Sequence, residues 1–288
     1  MTNNGIIDSH QHFWQVGRFS YPWMTPEVEL LCRDYLPAML EPILQRNNVA
    51  QTILVQASNS IEETLWLLEL ADANPFIAGV VGWVDLQSES TAQQLDLLTT
   101  RSKLKGIRHL VESEPADDWL TQPNVIRGLR ELGARGLSYD LLVHPRHLKY
   151  AAEVVTQCPE TRFVIDHLAK PPIKSGDIEE WARELKPLAA FPNVSGKLSG
   201  LVTEADWSNW RGEDLQPYVE TALEYFGPER MMFGSDWPVC LLAATYERVL
   251  DAFQNLLANL SENDRERIFS KNAAQFYRIE DEIWSAAA

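Results

Sequence analysis

Eight short runs rich in β-branched and apolar residues recur along the chain, each followed by a stretch in which apolar residues repeat at helical spacing. The runs are residues 6–12, 52–56, 77–84, 104–109, 137–143, 162–167, 193–199 and 230–234. Strands that alternate with helices predict βα units and a parallel sheet. Eight such units in 288 residues favour a closed (β/α)8 barrel, which takes about 250 residues, over an open doubly wound sheet. No internal repeat or linker-like stretch interrupts the pattern, so residues 1–288 are expected to form one barrel domain.

Local signals support the alternation. Ser60-Ile61-Glu62-Glu63 is a capping box at a helix start. Pro37 suits the first turn of a helix over 36–47, whereas Pro42 predicts a kink or a later start. Asp177 and Asp214 are expected to cap two later helices, and residues 263–277 to form the closing one.

The net charge of −16 argues against binding to nucleic acid or an anionic membrane, since phosphate contacts need clustered Lys and Arg. A small-molecule substrate is the expected partner, with a homo-oligomer left open. Cys32, Cys158 and Cys240 are widely spaced, odd in number and without a C-x-x-C pattern, which fits a reducing cytoplasm. No apolar run is long enough to span a bilayer, and no cationic leader is evident, so a cytoplasmic location is expected.

In a barrel of this kind the chemistry lies at the carboxyl ends of the strands. His10 and His12 end strand one, two residues apart and therefore on one face. Arg108 and His109 end strand four, Asp140 lies in strand five, His167 ends strand six, Lys197 lies in strand seven, and Asp236 follows strand eight. Taken singly, each has a plainer reading: His167 as a hydrogen-bonded core histidine, Lys197 as a snorkelling lysine, Asp140 as the partner of Arg108. One fold brings them together, and that is the reason to read them as a site. Three histidines and an aspartate form an N/O set for one divalent metal, zinc first by ligand type. Without metal the same groups still support hydrolysis, Asp236 taking a proton from water while His167 or a cation polarises a carbonyl. Trp14, Trp23, Trp83 and Trp237 suit the C–H faces of a sugar ring, although aromatics outside a periodic pattern also pack as surface loops.

Five stretches together carry a family resemblance: Asp8-Ser9-His10-Gln11-His12-Phe13-Trp14, Gly106-Ile107-Arg108-His109, Ile165-Asp166-His167-Leu168-Ala169-Lys170-Pro171, Met232-Phe233-Gly234-Ser235-Asp236-Trp237-Pro238 and Lys271-Asn272-Ala273-Ala274-Gln275-Phe276-Tyr277. They resemble the amidohydrolase superfamily, in the metal-dependent hydrolase branch that contains the L-fuconolactonases, the L-rhamnonolactonases and the pyrone-dicarboxylate lactonases. The resemblance implies a barrel hydrolase that opens a sugar-acid lactone, with Asp236 as general base. It implies that His10, His12 and His167 bind metal or the substrate carbonyl, and that Arg108 and Lys197 contact substrate. Binuclear members carry a bridging lysine on strand four and a histidine on strand five. Here those ends offer Arg108, His109 and Asp140, with His144 a few residues later, so one metal or none is expected. Two rivals remain: a metal-dependent decarboxylase of an aromatic acid on the same fold, and a non-catalytic sugar-acid binding protein.

Overall fold

The computed structural model describes residues 5–279. Eight parallel strands follow one another around a single sheet: β1 Ile6–Gln11, β2 Val49–Val55, β3 Ile77–Gly82, β4 Leu104–Leu110, β5 Ser138–Leu142, β6 Arg162–Ile165, β7 Val194–Leu198 and β8 Met231–Phe233. The seam between β8 and β1 closes through a parallel bridge between Gln11 and Trp237, so the sheet is the (β/α)8 barrel expected. Asp8 reinforces that seam. Its Oδ1 accepts from Ser235 N at 2.8 Å, and its Oδ2 accepts from the Tyr246 hydroxyl at 3.0 Å.

Helices pack outside the strands: α1 Pro37–Arg46, α2 Ile61–Ala73, α3 Thr91–Leu98, α4 Pro123–Ala134, α5 Leu148–Gln157, α6 Glu179–Ala189, α7 Leu201–Glu204, α8 Gly212–Phe226, α9 Tyr246–Leu256, α10 Glu262–Glu266 and α11 Asn272–Phe276. α4 shows how the sequence specifies this layer. Val125, Ile126, Leu129 and Leu132 recur at helical spacing and are all buried.

Several local expectations change. α1 runs through Pro42 as a helix; the acceptor that proline leaves without its usual partner is the carbonyl of Ala38, an exposed residue that water can satisfy. Asp177 does not cap α6, whose preceding residue is Ile178. Asp214 lies inside the first turn of α8, where its Oδ2 accepts from Arg211 N at 2.8 Å. The closing helix is α10 and α11 joined by a wider π turn over Arg267–Lys271.

α11 also closes the bottom of the barrel. Ala273, Phe276 and Tyr277 cluster with Ile7, Ile53, Val55, Val81, Val164 and Met232, which come from five different strands. Apolar side chains thus fill the barrel from below, and the polar residues of β1, β4, β6, β7 and the β8 exit occupy the layer above.

Candidate active site

Two backbone irregularities aim the side chains that converge there. After β6, four successive residues take left-handed conformations: His167 (φ 54°), Leu168 (49°), Ala169 (62°) and Lys170 (53°). Each costs about 1–2 kcal/mol for a residue with a Cβ. The turn is held by Trp181 Nε1, which donates to Leu168 O at 2.7 Å, and by its own bond from Lys170 N to His167 O at 2.8 Å. Asp236 (φ 58°) is the second strained position, tied to β1 through its N–H, which donates to His10 O at 2.8 Å. Gly200 completes the cradle, because a Cβ there would stand 2.4 Å from His167 Nδ1.

The result is one oxygen among three imidazoles. Asp236 Oδ1 lies 3.3 Å from His12 Nε2, 3.7 Å from His10 Nε2 and 3.9 Å from His167 Nε2, and it makes no hydrogen bond of its own. The two strand-one rings meet at 3.1 Å, Nε2 to Nε2. Burial lowers the pKa of all three histidines, His10 most strongly, and so favours neutral rings with available lone pairs. Burial pushes the Asp236 carboxyl the other way, but the neighbouring His167, His12 and His10 outweigh it and hold it below the carboxylate range.

The far nitrogens orient the rings. His12 Nδ1 donates to Val55 O at 2.8 Å, leaving Nε2 as the lone pair that faces Asp236. His167 Nδ1 pairs with Ser199 Oγ at 2.9 Å. His10 Nδ1 is 3.1 Å from Lys197 Nζ and 3.4 Å from Asp166 Oδ1, and Arg108 Nη1 is 3.3 Å from its Nε2.

His10, His12, His167 and Asp236 fit a single divalent ion. His10, His12 and Asp236 bring ligand atoms within 4.8 Å of one another, and His167 Nε2 lies 3.9 Å from the same unsatisfied Asp236 oxygen, an N/O donor set suited to zinc.

A cavity of about 240 Å³ opens above this cluster. His12, Arg108, His167 and Asp236 form its floor; Trp14, Trp23, Val28, Leu31, Val239 and Leu242 are apolar lining, and Glu112, Ser113, Lys170, Thr203 and Glu204 are polar lining.

Not every residue expected at the site reaches this cavity. Asp140 and Lys197 are fully buried and do not line it: Lys197 Nζ donates to Asp140 Oδ2 at 2.6 Å and contacts Asp166 Oδ1 at 2.9 Å, while the Tyr277 hydroxyl donates to the same Asp140 oxygen at 2.7 Å. Arg108 pairs not with Asp140 but with Asp166 Oδ2, at 3.1 Å. His109 turns away from the cavity, because alternate residues of β4 face opposite sides. Its ring stacks on Trp119 at 4.0 Å, accepts from Trp83 Nε1 at 2.9 Å and meets Glu114 at 2.7 Å, which also explains where Trp83 goes. Trp237 is buried against Phe13 and Tyr35; its backbone carbonyl, which accepts from His12 N at 2.7 Å, is its link to the site.

Sequence reasoning missed Asp166, Ser199, Glu112, Lys170 and Glu204 as participants. Asp166 and Lys170 stood inside the quoted strand-six motif, and Ser199 ended the expected strand seven. Glu112 and Glu204 lie in connections without periodicity, where nothing in the sequence marked them.

A parallel barrel whose β1 and β6 histidines meet a β8 aspartate at the carboxyl-end mouth has its polar cluster where barrel enzymes carry their chemistry. Residues 7–279 match the family model for amidohydrolases. The chain is 39% identical to the L-fucono-1,5-lactonase of Burkholderia ambifaria over 95% of this chain and 96% of that protein. It also superposes on the zinc-bound crystal structure of an amidohydrolase from Burkholderia multivorans with a TM-score of 0.90, at 38% identity, over 96% of this chain and 99% of the other. A 2,6-dihydroxybenzoate decarboxylase in complex with 2,6-dihydroxybenzoate shares the fold alone, with a TM-score of 0.67 at 13% identity over 96% of this chain and 99% of the other. The chain belongs to the amidohydrolase family.

Proposed function

We propose that the protein hydrolyses the ring ester of a neutral sugar-acid lactone. The observation that carries this reading is the cavity itself: an unpartnered Asp236 oxygen and Arg108 on its floor, with tryptophans and acid-rich polar residues among its lining. The similarity to L-fucono-1,5-lactonase supports the lactone as the bond attacked.

The chemistry follows from the residues. A water beside Asp236 Oδ1 gives its proton to that carboxylate as its oxygen adds to the ring carbonyl carbon. His12 and His167 restrain the carboxylate, so the base does not have to be reoriented during the step. Arg108 is fixed by Asp166 and by the Gln56 carbonyl, and its charge favours the oxyanion that develops. The tetrahedral intermediate then collapses, the C–O bond of the ring breaks, and the alkoxide takes a proton back from Asp236. A divalent ion held by His10, His12, His167 and Asp236 would supply Lewis-acid polarisation and a more acidic water, which suits a carboxylate held this far below its ordinary pKa.

Charge separates this reading from its rivals on the same fold. Arg108 and Lys170 face the cavity against Glu112, Glu204 and Asp236, and Lys170 is already paired with Glu112, so without a bound ion an aromatic acid or a dicarboxylate would meet more carboxylates than free cations. A neutral lactone carries no such penalty.

A pH-indicator assay over a panel of aldonolactones and aromatic acids, before and after chelation, tests the proposal. Turnover of at least one aldonolactone above its spontaneous rate is expected, with no carbon dioxide released from the acids and at most one equivalent of divalent metal in the purified protein. No lactone turnover at any metal loading would overturn it.

A further inference from the structure

Three carboxylates face the cavity, and two have basic groups beside them. Asp236 meets the imidazoles, and Glu112 accepts from Lys170 Nζ with His144 Nε2 3.6 Å away. Glu204, the last residue of α7, is different. Among the described residues its carboxyl makes neither a hydrogen bond nor an ion pair, although its backbone carbonyl is pinned by Lys174 N at 3.0 Å. The other end of α7 is anchored too: Thr203 Oγ1 donates to Gly200 O at 2.7 Å, and Gly200 packs on the His167 ring. Glu204 is therefore held in the cavity lining by an element braced on the catalytic histidine.

Burial raises its pKa to about 7, against Lys170, with Glu112 and Asp236 adding to the rise. Glu204 is only partly buried and its carboxyl has no protein partner, so a ligand group that bonds to it in the cavity gains a hydrogen bond on binding.

We propose that Glu204 is a specificity-determining residue that binds hydroxyl groups of the lactone substrate. This rests on the lactone-opening function proposed above and names the part of the substrate that the polar lining reads. A hydroxyl suits this position because it donates to an ionised carboxyl and accepts from a protonated one. A substrate carboxylate would face Glu204 together with Glu112 and Asp236. Lys170 spends one of its three N–H groups on Glu112 and can offer another to a substrate hydroxyl in the same cavity.

The test compares an aldono-1,5-lactone with δ-valerolactone, the same ring without hydroxyls, on the wild-type protein and on Glu204→Gln and Glu204→Ala. For Glu204→Ala, KM for the aldonolactone should rise by about 10- to 100-fold with kcat little changed, the size expected for a hydrogen bond to a charged group. Turnover of δ-valerolactone should stay within about twofold, the spread expected for a change that touches none of its contacts. Glu204→Gln, which keeps the shape and can still hydrogen-bond, should fall between wild type and Glu204→Ala, and it keeps the test open if the alanine variant folds poorly. Unchanged discrimination between the two lactones in both variants, or an equal loss of kcat on both substrates, would overturn the proposal while leaving lactone hydrolysis intact. Absence of lactone turnover in the wild type would instead overturn the lactonase function, and this proposal with it.

Discussion

Asp166 holds more of the buried charge together than any residue singled out from the sequence. It pairs with Arg108 through Oδ2 and contacts Lys197 and His10 through Oδ1. Burial pushes its carboxyl up, but Lys197, His10 and Arg108 outweigh burial and hold it well below the carboxylate range. Replacing it by Asn leaves two buried cations undercompensated, so Asp166→Asn should cost about 3–5 kcal/mol in urea unfolding at pH 7. Because the folded pKa is depressed, this contribution is present above the unfolded value of about 3.9 and is lost as pH falls below it. The gap between variant and wild type should therefore narrow in acid. Equal stabilities at pH 7 would show that Arg108 and Lys197 do not depend on Asp166. At this scale the sequence showed which chemical groups gather but not their pairing: strand periodicity sets a residue's face, not its partner. Arg108 and Asp140 are neighbours in register, yet each chose another ion.

α2 shows what an element contributes beyond packing. Only half of the expected capping box formed: Ser60 Oγ accepts from Glu63 N at 3.1 Å, while Ser60 N donates to Ser58 O and not to Glu63. The Glu63 side chain does something the motif does not foretell. Its Oε2 reaches back to accept from Ala57 N at 3.0 Å and Ser58 N at 2.8 Å, stitching α2 to the exit of β2. Burial raises Glu63 to about 7 from an ordinary 4.5, against those two hydrogen bonds. A raised carboxyl stabilises the fold below its unfolded pKa, and that contribution disappears as pH rises from about 4.5 to 7. Glu63→Gln keeps an acceptor and removes the titration. Its Tm relative to wild type should rise between pH 5 and pH 8 by about 5 °C, corresponding to at most about 3 kcal/mol. A Tm difference that does not vary with pH would mean that Glu63 stays ionised throughout. The strands and most helices were legible because apolar spacing alone specifies them. The left-handed turn at His167–Lys170 was not, because none of its four residues is a glycine and its cost is met by tertiary contacts such as that of Trp181.

Across the whole molecule, apolar and polar layers divide the barrel along its axis. α11 and the lower strand residues fill the bottom, the ion-paired layer of Asp140, Asp166, Lys197 and Arg108 lies above them, and the cavity opens on top. The eight-fold alternation foretold this barrel, and His10, His12, His167, Arg108 and Asp236 lie together at its mouth as their strand-end positions predict. It failed for His109, Trp83 and Trp237, since proximity to a strand end does not decide which way a side chain turns. Among the described residues no helix is long and apolar enough to cross a membrane. In the proposed reaction this mouth binds a lactone and Asp236 moves the proton. Asp236→Asn, assayed for aldonolactone turnover and, by calorimetry, for binding of the ring-opened product, tests it most directly. A loss of kcat of about 10³-fold or more with product affinity within about threefold is the result expected for removal of a general base from a preserved site. Turnover that survives the substitution would show that Asp236 is not the base.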